Sequence, residues 1–71
     1  MLPLTKEQEA ALGLELAVKR QEHADLDAAI EMLTKTGQAD QMLLQRLKKR
    51  KLALKDRIGF LEDELLPDII A

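Results

Sequence analysis

Between Arg46 and Arg57 stand seven of the chain's eleven basic residues, Arg46, Lys48, Lys49, Arg50, Lys51, Lys55 and Arg57, against the single carboxylate of Asp56. A local charge of +6, interleaved with Leu47, Leu52 and Leu54 at helical spacing, is the material of a helix that lies along a phosphate backbone. Other features of the chain oppose that chemistry. The net charge is −2, the isoelectric point is near 5.3, and the one aromatic residue, Phe60, stands outside the cluster, so no base-stacking platform accompanies the cations. No glycine turn of the helix-turn-helix type adjoins it either.

Catalytic chemistry has still less to work with, and the expectation is a protein that is not an enzyme. Serine, cysteine and tyrosine are absent, and the hydroxyl side chains are confined to Thr5, Thr34 and Thr36, so no nucleophile, base and orienting group can be assembled. Asp25 and Asp27 are two apart on a helix and diverge; Glu62-Asp63-Glu64 reads as a solvated acidic run. His23, the single imidazole, has no second ligand of its kind, and the simpler expectation is a histidine bonded to Asp27 one turn later. No cofactor, metal or small-molecule substrate is expected. Without cysteine there are no disulfides, and the first residues lack a basic region leading into an apolar run. No stretch approaches the roughly 18 apolar residues of a membrane span. These features predict a cytoplasmic protein that does not enter a membrane.

The elements that position these residues are helical. Ala, Leu, Lys, Glu, Gln and Asp dominate a chain of 71 residues, enough for one small domain. Thr5-Lys6-Glu7-Gln8 has the form of a capping box. A helix over about 5–36 follows, ended by Gly37, and Asp40 caps a second helix over about 40–66, which Pro67 stops. The turn falls at about 37–39, and residues 1–4 and 67–71 are short tails of a single domain spanning 1–71.

In the first helix Leu12, Leu16, Lys19, His23, Leu26, Ile30 and Leu33 recur in steps of four and three, as do Leu44, Leu47, Lys51, Leu54, Ile58, Leu61 and Leu65 in the second. Eleven of these fourteen positions are apolar. A short turn makes the helices antiparallel neighbours, so facing residues must have numbers of constant sum. They do: Leu33 with Leu44, Ile30 with Leu47, Leu26 with Lys51, His23 with Leu54, Lys19 with Ile58, Leu16 with Leu61 and Leu12 with Leu65 all add to 77. The fold class is therefore all-α, an antiparallel two-helix hairpin. This register sets Asp27 near Lys48 and Lys55, Glu22 near Arg50 and Arg57, Glu15 near Arg57 and Arg20 near Glu62, while the Lys51 stem covers Leu26 and its ammonium reaches outward. Arg46, Lys49 and Lys35 then remain as free cations for an anionic ligand.

The run from His23 through Leu26-Asp27 and Ile30, followed after a short linker by Leu47-Lys48-Lys49-Arg50-Lys51-Leu52-Ala53-Leu54-Lys55-Asp56-Arg57-Ile58, resembles the YdcH-like family of small bacterial proteins, a domain of unknown function. The resemblance covers roughly Arg20 to Leu65. It implies a bacterial, cytosolic helical hairpin and carries no catalytic residue onto this chain.

A lone hairpin leaves more than half of each helix wet, and burial at about 25 cal/mol per Å² seldom outweighs chain entropy at this size. A further apolar surface is expected from Val18, Met32, Leu43, Leu52 and Phe60, supported by Ala24, Ala28 and Ala53. These residues predict a homo-oligomer, in a dimeric or larger helical bundle, or docking on a helical protein partner. The alternative is a nonspecific nucleic-acid-binding protein using Arg46–Arg57. At the open end, Leu2 and Leu4 come beside Leu66, Ile69 and Ile70 and can form an apolar cap.

Overall fold

The structure, a computed structural model, describes residues 3–37 and 40–65. Two helices make the fold, α1 over Lys6–Thr36 and α2 over Gln41–Leu65, and there is no strand among the described residues. Each start is set by local chemistry. The Thr5 hydroxyl accepts from the Gln8 amide at 3.1 Å while the Thr5 amide donates to Gln8 Oε1 at 2.8 Å, so two otherwise unpaired amides at the helix start are satisfied reciprocally. At α2 the Asp40 carboxylate accepts from the Leu43 amide at 2.7 Å, the expected cap.

α1 ends as its sequence prescribes. Gly37 adopts φ 66°, the left-handed conformation that a side chain opposes, and donates its amide to the Leu33 carbonyl at 3.1 Å. The rest of the expected turn, Gln38 and Ala39, lies outside the described residues. So do Leu66, Pro67 and the proposed cap of Leu2 against Ile69 and Ile70, although Leu4 is half-buried.

The helices pack along the expected seam. All fourteen seam positions are buried or half-buried, and the four most buried apolar residues among those described, Leu16, Ile30, Leu54 and Leu61, belong to it. Leu61, fully enclosed at 0% exposure, shares its layer with Leu16. The seam explains how so few residues hold an elongated molecule of 49 × 26 × 17 Å: the seam side chains are buried between two cylinders, and none of the described residues covers their far sides.

Candidate interaction surface

Ion pairs between the helices dispose of part of the basic cluster. Arg57 donates from Nε and Nη2 to the two oxygens of Glu15 at 2.7 and 2.9 Å, and its guanidinium lies 5.0 Å from the centre of the Phe60 ring. The hydrogen bond from Arg57 holds the Glu15 carboxyl below its ordinary range, against a smaller opposing effect of desolvation, and raises Arg57 in return. On the other flank Arg20 Nη2 donates to Glu62 at 2.7 Å. Both pairs follow from the register. Lys51, at the solvent edge of the seam, donates to Asp27 at 2.5 Å, and this bond lowers the Asp27 carboxyl.

That choice overturns several expected pairings. Asp27, taken by Lys51, makes no ion pair with Lys48 or Lys55. Glu22 turns to Lys19 at 3.8 Å, one turn back, rather than closing on Arg50 or Arg57, and Asp25 accepts from Gln21 at 2.8 Å. Arg50 shares a groove with Glu22 and Asp25 without reaching either as an ion pair. Glu22 and Asp25 are thus satisfied locally and Asp27 by the nearest seam lysine, since a short reach costs less side-chain entropy than a long one. Lys35, expected to be a free cation, instead pairs with Glu31 at 3.0 Å on its own helix. Among the described residues, Arg46, Lys48, Lys49, Arg50 and Lys55 have no carboxylate within 4.0 Å, a larger set than the expected Arg46 and Lys49. At 100° per residue, Arg46, Lys49 and Arg50 fall on one side of α2, and Lys48 with Lys55 on the other.

The expected apolar surface is also rearranged. Val18, Met32, Leu52 and Phe60 are exposed at 46, 64, 61 and 48%. They do not form one patch, because each pair lies on the side of its helix away from the seam, so the hairpin holds the two pairs on opposite outer faces. Leu43 is half-buried beside the start of α2 and belongs less to the outside than expected. Leu14 at 68% and Met42 at 70% are more exposed than any of these, and sequence reasoning passed over both. Their signal was present: Leu14 stands one turn before Val18 on the same face.

The groups with catalytic potential are engaged or isolated. Thr5 is consumed by the cap, while Thr34 and Thr36 donate their hydroxyls to the carbonyls of Ile30 and Leu33 at 2.7 and 3.3 Å. His23 does not take the expected bond to Asp27; its Nε2 is buried without a partner among the described residues. No group of three or more His, Asp or Glu among the described residues is placed to hold a metal ion. None of the described helices is long and apolar enough to cross a membrane.

This arrangement defines a small helical hairpin. The chain belongs to the family described as protein of unknown function (DUF465), whose family model matches residues 16–62. That span contains six of the seven seam layers and the whole basic cluster, the residues that carried the resemblance to the YdcH-like proteins, which fall within this family. No curated protein and no solved structure matches the chain.

Proposed function

We propose that this hairpin is a non-enzymatic interaction module of the bacterial cytoplasm that self-associates or docks a helical protein partner through its outer faces. One observation carries the reading: among the described residues four apolar side chains are buried, while Leu14, Val18, Met32, Met42, Leu52 and Phe60 are left 46–70% exposed. A chain this short gains little from its own core, so covering those faces is the available source of further stability. The engagement of all three threonine hydroxyls with backbone groups supports the non-enzymatic part.

Sedimentation equilibrium tests the self-associating form. A dimer or larger species at micromolar concentration is the expected result, and a folded monomer at high micromolar concentration would leave docking on another protein as the surviving form.

A second reading, nonspecific nucleic-acid binding, is favoured by the five basic residues of α2 that lack a carboxylate partner among the described residues. Electrophoretic retardation of DNA or RNA at low salt, lost on adding salt, is its signature. Absence of retardation at tens of micromolar protein removes it.

A further inference from the structure

The outer side of α1 carries a second stripe with coiled-coil spacing. Leu14, Val18, Gln21, Asp25, Ala28 and Met32 follow one another in steps of four, three, four, three and four, and all six are exposed. Their order is a mirror about position 23. Large apolar residues stand at both ends, smaller ones come next, and a Gln and an Asp occupy the middle. Laid antiparallel on a second copy of itself, the stripe sets Leu14 on Met32, Val18 on Ala28 and Gln21 on Asp25, pairs that all add to 46. A two-fold contact requires such an order, because each residue must suit its own counterpart across the axis.

We propose that the hairpin forms a two-fold dimer through this stripe, with α1 packed antiparallel on α1 of a second copy and both α2 helices on the outside. The proposal rests on the self-associating reading above and names its surface. The central layers are complementary in charge and hydrogen bonding: the Gln21 amide, which in the single chain donates to Asp25 of its own helix at 2.8 Å, has Asp25 of the second copy opposite it. At the ends, a shallow depression of about 220 Å³ between Ala28, Glu31, Met32 and Lys35 lies where Leu14 of the second copy falls. Ala17 and Ala24 border the stripe on one side and, being small, allow close approach of the backbones. On its other side Glu22 meets Glu22 of the second copy. That like-charge encounter is relieved by Lys19 at 3.8 Å and by Arg50 in the adjoining groove.

The chain has no cysteine, which makes the register directly readable. Val18→Cys protein mixed with Ala28→Cys protein under mild oxidation is expected to give a covalent heterodimer, whereas either alone gives none. Leu14→Lys and Met32→Glu should each weaken association at least ~10-fold while circular dichroism stays helical, since both side chains are exposed; the double variant, which sets Lys on Glu twice, should return to within about 3-fold of the parent. If the protein sediments as a dimer but the 18–28 disulfide does not form, or if the single charges leave association unchanged, this interface is wrong and self-association stands through another face. A folded monomer at high micromolar concentration overturns the interface and the self-associating reading together.

Discussion

Helix α1 carries two heptad stripes on opposite sides, and they have different fates. The inner stripe, from Leu12 to Leu33, is buried or half-buried along its whole length because α2 packs against it. The outer stripe, from Leu14 to Met32, has the same periodicity and stays exposed. Periodicity therefore identifies a face that seeks a partner, and connectivity decides which face gets one from the same chain. The inner stripe is supplied by a short turn at a high effective concentration, while the outer one must wait for another molecule.

The sharpest way to break that comparison is to truncate one residue on each side. Leu61→Ala, which empties the most enclosed site of the inner seam, is expected to cost about 2–5 kcal/mol and to unfold much of the population at any protein concentration, as read by urea titration. Met32→Ala on the outer stripe should cost under about 0.5 kcal/mol in dilute solution and more as concentration rises. Equal, concentration-independent costs for the two would erase the distinction between the faces.

The inner stripe is itself imperfect. Replacing His23 with Leu removes a buried nitrogen without a partner and sets Leu on Leu54, so thermal unfolding should show a gain of about 1–2 kcal/mol. Smaller still is Gly59→Ala. Its added methyl meets nothing within 4 Å, and the expected gain of about 1 kcal/mol comes from helix propensity alone. A loss there would mean that α2 bends at Gly59 for a reason outside its own packing.

The weakest expected effect concerns the ion pairs across the seam. Glu15 and Asp27 have their carboxyls lowered by hydrogen bonds from Arg57 and Lys51, so the stability they add is present above their ordinary titration range and is lost as the pH falls through the lowered values. The melting temperature should accordingly drop on acidification below about pH 5, and Glu15→Gln with Asp27→Asn should flatten that drop slightly, the pairs being solvent-exposed. An unchanged acid profile in the double variant would show that these contacts select the register without adding stability.

The basic cluster shows how far sequence reasoning reached. It correctly turned Arg57 toward Glu15 and Arg20 toward Glu62, and it missed the partners of Lys51, Lys35 and Glu22. A register fixes backbone positions to within a turn, but lysine and arginine side chains reach farther than a turn and settle among several acids by small differences in rotamer entropy and desolvation. The exposed faces were half legible for a similar reason. Val18 and Met32 followed from their distance from the seam, and Leu14 was legible by the same rule, whereas Leu43 could be sorted only once the packing near the start of α2 was known.

By itself the sequence determined the two helices, their caps at Thr5, Gly37 and Asp40, and the pairing of seven layers, because capping is a matter of adjacent residues and an antiparallel register needs only constant sums. Tertiary structure alone decided which cations of α2 have no carboxylate among the described residues, that Leu43 is half-buried and that His23 Nε2 has no partner among them. Those outcomes depend on competition among side chains converging from two helices, which no local pattern records.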